Sequence, residues 1–313
     1  MTRLKATLSL ALSTLVMPLA VSAQAKDAAE ITIAMVPKGP IPWFIDCDAG
    51  AKAEAAKLGV KYQWVLPRNT QGSTQVQVLE ELVAKKVDAI GISVNEAKSV
   101  VPAIKEATAA GIKVLTYDDD SPDSSRSMYI GTDNVSAGEV LGNAMAKALS
   151  GKGEVAIVTG ELGAAGHIAR IKGVKKAFEA YPDIKVVATE GTNDDLGKAV
   201  AVDEALLRGH PNLAGMVGVS QVGAPSIAKV LNEKEFEDRK GKLKVFGFDD
   251  LPDALKGVKD GVVGGLVVQR PTTMCKIAVD HLFDQVQGKE TAAPNIDTGV
   301  TVVTSDNLTN YTK

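Results

Sequence analysis

Short runs of mostly apolar, often β-branched residues alternate with longer amphipathic stretches along most of this chain. The runs at 31–36 (ITIAMV), 62–66 (YQWVL), 89–94 (AIGISV) and 113–118 (KVLTYD) come first, and 154–159 (EVAIVT), 184–189 (IKVVAT), 215–220 (GMVGVS), 243–249 (LKVFGFD) and 264–269 (GGLVVQ) follow. Most are continuously apolar, the pattern of parallel strands covered on both faces. Between 73 and 86, Val76, Leu79, Leu82 and Val83 recur at helical spacing while Glu80, Glu81, Lys85 and Lys86 fall elsewhere. Segments 99–110, 136–149, 168–180 and 196–207 behave alike. Strict alternation predicts an α/β protein of doubly wound parallel sheets. The succession pauses at the polar, turn-rich segment 119–133 (DDSPDSSRSMYIGTD) and then begins again, which predicts two similar lobes joined by a hinge.

The amino terminus breaks this pattern. Arg3 and Lys5 precede an uncharged apolar run at 6–21, interrupted by Pro18, and both Val21-Ser22-Ala23 and Ala23-Gln24-Ala25 fit a small-residue cleavage site. The run is shorter than the roughly 20 residues a spanning helix needs. Residues 1–25 are therefore expected to be a cleaved signal peptide, leaving the mature chain free in a periplasm. The rest exceeds the usual size of one compact domain, and 45% hydrophobic residues allow a substantial core. A net charge of −3 and a pI near 5.8 show no basic excess, so nucleic acid and anionic membranes are not expected partners. Cys47 and Cys275 are the only cysteines, without metal-ligand spacing. In an oxidising compartment they stand between a disulfide and two buried thiols.

Ligands of open parallel sheets bind beyond the carboxyl ends of the strands, and two such sheets facing each other would share one cleft. Polar and aromatic residues gather at those places. The first strand is followed by 37–44 (PKGPIPWF), the fourth by Asp118, Asp119 and Asp120, and later strands by Arg170, by Ser220 and Gln221, by Asp249 and Asp250, and by Gln269 and Arg270. Carboxylates, amides and a guanidinium suit the hydroxyls of a sugar, and aromatic faces suit its C–H surface. Aromatics make up only 4% of the chain, so the adjacent Trp43 and Phe44, read as a loop after Pro42, carry information.

Catalytic signatures are missing. The glycine-rich 160–166 (GELGAAG) follows a strand and precedes a helix, as a phosphate cradle does, but its spacing is not G-x-G-x-x-G. No G-x-S-x-G, Walker A, H-E-x-x-H or C-x-x-C appears. His167, His210 and His281 have no metal-spaced partner and read as structural or exposed. The chain is expected not to be an enzyme and to use no cofactor or metal; an exported NAD(P)-dependent sugar oxidoreductase is the alternative from another class. A sugar-responsive transcription regulator would carry a basic helix-turn-helix where the apolar run stands.

At Pro42-Trp43-Phe44 with Gly50-Ala51 after it, at 111–118 (GIKVLTYD), at Arg170-Ile171-Lys172-Gly173, and at 245–249 (VFGFD) with Gln269 beyond, the chain resembles the ribose-binding-protein-like periplasmic family, the type I solute-binding proteins of sugar ABC importers. The resemblance implies that Trp43 and Phe44 stack on the sugar, that Asp118 and Arg170 are the ligand aspartate and arginine of the two lobes, and that Asp249 and Gln269 are the second aspartate and the hinge glutamine. Ser220 takes a position where many members use Asn. Ile41 and Ser220 stand where ribose binders have amides, and Asp119 where they have Arg, so D-ribose is not the expected ligand. Val36-Pro37-Lys38, 116–120 (TYDDD) and 220–225 (SQVGAP) are similar to the branch that binds rhamnose, short polyols or a furanosyl quorum-sensing autoinducer. That branch makes Lys38 a candidate ligand residue beside a solvent-facing reading, while Asp120, after the fourth strand, is a candidate beside a solvated turn. A small sugar or polyol is the expected ligand, with the autoinducer as the alternative.

The same resemblance implies a monomer that closes on its ligand and docks on the membrane permease subunits of an importer. Lobe one is expected to comprise 26–131 and 268–295, and lobe two 132–267 and 296–313, with three connections. This topology returns the helix carrying Cys275 to the lobe that carries Cys47.

Overall fold

The protein is described by a computed structural model covering residues 26–289 and 295–312. The expected signal peptide lies outside the described residues. Two six-stranded sheets account for the repeated alternation. The first contains β1 (Thr32–Val36), β2 (Lys61–Trp64), β3 (Ala89–Ile92), β4 (Lys113–Tyr117), β5 (Tyr129–Gly131) and, from far along the chain, β11 (Asn295–Asp297). The second contains β6 (Lys152–Thr159), β7 (Asp183–Gly191), β8 (Leu213–Gly218), β9 (Lys244–Phe248), β10 (Gly265–Val268) and β12 (Thr301–Val303). Strand order is β11-β5-β4-β3-β1-β2 in one and β12-β10-β9-β8-β6-β7 in the other, the same winding twice. All pairings are parallel except β10 with β12.

Helices cover both faces of each sheet. The first sheet carries α1 (Trp43–Leu58), α2 (Gly72–Ala84), α3 (Val101–Ala109) and α9 (Pro271–Val286); the second carries α4 (Asn134–Ala148), α5 (Ala165–Phe178), α6 (Leu196–Gly209), α7 (Gly223–Val230) and α8 (Pro252–Lys259). The period-2 alternation of strand side chains sorts each apolar run between two cores. In β1, Ile33 and Met35 join the cluster under α1 and α9, whereas Ala34 and Val36 join the one under α2 and α3. In β6, Val155 and Ile157 face α4 and α5, whereas Ala156 and Val158 face α6 and α7. This double burial is why the runs read as uninterrupted apolar segments.

Three short strands escape the periodicity. β5, β11 and β12 have three residues each, too few for an alternation to register. β5 falls inside the segment read as a pause, so the first crossing between lobes lies at 132–133, after that strand. The expected lobe boundaries move by one or two residues at two places. Val268 still pairs with Thr301 in the second sheet, and Ile296 pairs with Ile130 in the first, because the backbone stays in each ladder until its last hydrogen bond is made.

Trp43 and Phe44 do not lie in a loop. They open α1, whose cap, Pro42, already has helical angles of φ −54° and ψ −33°. The ring of proline fixes φ near that value and lacks the N–H a helix start leaves unused, so Pro42 begins the helix instead of delaying it. α1 and α9 pack side by side on the first sheet, where Cys47 and Cys275, both fully buried, are joined as a disulfide with Cα atoms 5.2 Å apart.

Candidate functional site

The carboxyl ends of both sheets open on one cavity of about 330 Å³ between the lobes. Its walls include Lys38, Trp43, Phe44 and Asp118 from the first lobe, Arg170 and Asp249 from the second, and Gln269 from a crossing segment. Asp118 and Asp249 hold equivalent places. Each directly follows the central strand β4 or β9, each has φ of +60°, and each backbone N–H bonds the neighbouring chain, Asp118 to the Ile130 carbonyl at 3.1 Å and Asp249 to the Val267 carbonyl at 3.0 Å. The left-handed region is unusual for a residue with a side chain and is concentrated at functional sites.

Charges in the first lobe form a tight group. Lys38 pairs with Asp119 and lies 3.7 Å from Asp118. Burial disfavours the ammonium, but the Asp119 and Asp118 carboxylates outweigh it and hold Lys38 above its ordinary pKa. Burial pushes the Asp118 carboxyl up, against the attraction of Lys38. In Asp119 the same burial is overcome by Lys38, and its carboxyl falls below the ordinary range.

Arg170 organises the second lobe's wall. It is 6% exposed; its Nε donates to Asn134 Oδ1 at 2.8 Å, one terminal nitrogen donates to the Val219 carbonyl at 3.1 Å, and its guanidinium lies 4.1 Å above the Phe248 ring. A cation on an aromatic face with two fixed donors is held in one orientation. α5 reaches this position because α4 presents Gly138 to it: a Cβ there would strike the Arg170 backbone carbonyl. Beside Arg170, burial lifts the Asp249 carboxyl to about 6 despite the attraction of the guanidinium. Burial and Arg170 together push the imidazole of His167 below its ordinary pKa.

Phe44 is 4% exposed and serves the core and the cavity together, its ring centroid 5.0 Å from Trp43 edge-on and 6.3 Å from Tyr117. Trp64, on β2 and outside the cavity wall, sits 6.4 Å from Phe44, because β2 is the strand neighbour of β1.

Two expected site residues are not in the cavity wall. The Asp120 carboxylate is taken by Arg126 through two hydrogen bonds and also accepts from Thr116 Oγ1 at 2.5 Å and from the Ser121 N–H at 2.7 Å, so it fastens the turn that follows β4. Ser220 is 1% exposed in the turn before α7, and it is the next residue, Gln221, that lines the cavity. Asn95, Asn134 and Gln221 supply amides that the sequence reading did not single out as ligand residues, and Asp119, Glu161, His167 and Asp194 add charge or a ring nitrogen around the opening. Of these, Asp119 and Gln221 stand at strand ends, and His167 stands three residues before Arg170 and so shares its helix face. Trp43 Nε1 and Gln221 Oε1 are buried with no protein partner among the described residues.

Residues 33–290 match the periplasmic binding protein domain. The chain belongs to this family. A solute-binding protein of an ABC transporter from Burkholderia graminis C4D1M, solved in complex with D-arabinose, is 60% identical to this periplasmic binding protein, with a TM-score of 0.90 and coverage of 92% of this chain and all of that one. The ribose import binding protein RbsB of Bacillus subtilis is 29% identical over 250 residues, 80% of this chain and 79% of the relative. A xylitol-binding protein of Mycolicibacterium smegmatis is 28% identical over 243 residues, 77% of this chain and 68% of that relative. These relatives of the periplasmic binding protein are named for binding, not for catalysis.

Proposed function

We propose that this periplasmic binding protein captures a small neutral sugar or polyol between its lobes and delivers it to the membrane subunits of an ABC importer. The observation that carries this reading is the convergence of two equivalent carboxylates, Asp118 and Asp249, and one oriented guanidinium, Arg170, on a single cavity. Hydroxyl groups both donate and accept, so carboxylates on two sides with a fork of N–H donors between them match a polyhydroxylated ring or chain. Its volume lies at the small end of the range for ligand sites. Trp43 and Phe44 offer the apolar surface that the C–H face of such a ligand requires. The relative bound to D-arabinose makes a pentose the first candidate.

In this reading the protein is monomeric, works in the periplasm after loss of residues 1–25, and opens and closes about three crossings at 132–133, 269–270 and 298–300. Contacts from both lobes are complete only when it is closed, so ligand shifts the population toward that form. Thermal unfolding of the mature protein with D-arabinose, D-ribose, D-allose and xylitol tests the reading, because a ligand bound to the folded state raises the midpoint. A rise with one sugar at micromolar concentration is expected; no rise with any of them, nor with a wider set of aldoses and polyols, overturns it.

A further inference from the structure

Gln75, the fourth residue of α2, is fully buried and does not reach the cavity. Its carboxamide is nonetheless spent on the segments that do. Nε2 donates to the carbonyls of Pro37 at 3.2 Å and Ser93 at 2.6 Å, and Oε1 accepts from the Asn95 N–H at 2.8 Å. Pro37 directly follows β1 and Ser93 directly follows β3, so one side chain closes the ends of two adjacent strands.

From those ends hang three residues of the cavity wall. Lys38 follows Pro37, and its own carbonyl accepts from Asn95 Nδ2 at 2.8 Å. Asn95 is held through its backbone N–H by Gln75 itself. Ser93 Oγ donates to Asp118 Oδ2 at 2.7 Å, which fixes the carboxylate's rotation. The requirement at position 75 is two donors and one acceptor on one planar group. A primary amide meets it; a carboxylate has no donor, and a thioether has no N–H.

We propose that Gln75 is a positioning residue for ligand binding, setting Lys38, Asn95 and Asp118 in register from behind the cavity without touching its contents. The proposal rests on the sugar-binding reading above. A merely structural role would also lower stability, because an unmet buried carbonyl is costly wherever it lies. The two roles part in how affinity and stability change together.

The experiment measures D-arabinose, D-ribose, D-allose and xylitol affinity by calorimetry, and apo thermal midpoints, for the mature wild type, Gln75→Met, Gln75→Glu and Leu79→Ala. Leu79 lies on the same helix, is fully buried, and belongs to the apolar cluster under α2 and α3. At a temperature where every variant is folded, Gln75→Met is expected to bind at least about 10-fold more weakly, the scale of one lost polar contact. Leu79→Ala should lose a comparable midpoint yet keep wild-type affinity. Gln75→Glu keeps the acceptor and loses both donors, so its affinity relative to wild type at the same pH should recover in part between pH 7.5 and pH 5, as the carboxyl regains a proton and with it one of the two donors. That pH comparison stands even if Gln75→Met fails to fold. Wild-type affinity in Gln75→Met, an equal affinity loss in Leu79→Ala, or a flat Gln75→Glu ratio overturns the proposal. A wild type that binds none of the four, nor any of the wider set of aldoses and polyols, sinks the sugar reading, and this proposal with it, and is recognised by that failure in the unmodified protein.

Discussion

Gln269 donates its side-chain amide to the hydroxyl of Thr132 at 3.0 Å, joining two of the three segments that pass between the lobes. Both residues are buried, and Gln269 also lines the cavity while its backbone N–H donates to Asp249 Oδ1 at 3.2 Å. The crossing and the ligand wall are thus one hydrogen-bonded unit. Thr132→Val keeps the shape and removes the acceptor, leaving a buried amide unpaired at a cost of about 1–3 kcal/mol. The expected outcome is a lower apo midpoint together with weaker sugar binding. Calorimetric scanning and titration of the one variant check both.

Arg170 should be harder to replace than a ligand contact alone would be. Its bonds to Asn134 and Val219 and its stacking on Phe248 are made within the second lobe. Arg170→Lys retains the charge but loses the planar fork, and a loss of affinity of about 10-fold or more is expected with a modest drop in apo stability. Gly138→Ala, which would push α5 and the Arg170 backbone away, should weaken binding without altering any cavity side chain. Titration of both variants distinguishes them from the wild type; an unchanged affinity in Gly138→Ala would show that α5 can shift without moving the guanidinium.

Affinity should fall on acidification. With its folded carboxyl lifted to about 6, Asp249 takes up a proton between about pH 7 and pH 5 and loses an acceptor for ligand hydroxyls. Asp249→Asn should bind weakly but with a flatter profile across that window. Calorimetric titration from pH 7.5 to pH 5 measures the slope, and a flat wild-type profile would remove Asp249 as the titrating acceptor.

Asp203 predicts a different slope, in stability. It is fully buried on α6. Ser226 donates its hydroxyl to the Gly223 carbonyl at 2.9 Å, and among the described residues neither Asp203 carboxylate oxygen has a hydrogen-bond partner. Burial lifts its pKa to about 8. The folded state therefore holds a proton that the unfolded state releases near pH 4, and the stability this supplies is full below about pH 4 and is lost as pH rises toward 8, by up to about 1.4 kcal/mol per pH unit. Asp203→Asn should flatten that decline and raise stability at pH 8, as read by urea unfolding at pH 5 and pH 8.

Removing the disulfide should cost stability without changing specificity. The bridge spans 228 residues, and removing a native disulfide costs about 2–5 kcal/mol. The double variant Cys47→Ser, Cys275→Ser should unfold at a lower urea midpoint and keep the same order of preference among sugars. Thiol titration of the oxidised wild type under denaturing conditions should find no free thiol.

The sequence was most readable where strands run into the cleft. Asp118, Asp249 and Gln269 follow apolar runs directly, so strand periodicity alone points at them. Asp120 and Ser220 misled for the same reason: proximity to a strand end says nothing of which way a turn aims its side chains, and one turn is closed by Arg126 while the other passes the cavity position to Gln221. Asn95, Asn134 and Asp194 occupy turns and helix starts, where such residues are ordinary for local reasons. Gln75 left no trace at all, because a polar residue in a helix rich in Gln and Glu gives no sign of lying inside the protein. The helical start at Trp43 was hidden by prolines on both sides of Ile41, which read as loop until the backbone angles of Pro42 are seen.

The bridge between α1 and α9 also fixes an order of events during synthesis. Every strand of the second sheet except its edge strand β12 lies between residues 47 and 275. A chain emerging amino terminus first thus has nearly all of one lobe's sheet in hand before the other can be finished, and the early-made β1 and α1 must wait for α9, a helix from the far end, to cover Ile33, Met35 and Cys47. During that interval the older half of the molecule would be the less protected one, with the apolar side of β1 and α1 and the Cys47 thiol uncovered. A folding helper or a thiol oxidase would meet this protein first at its beginning and last at residue 275, and the closing of the bridge would mark a chain whose first lobe has received its last helix.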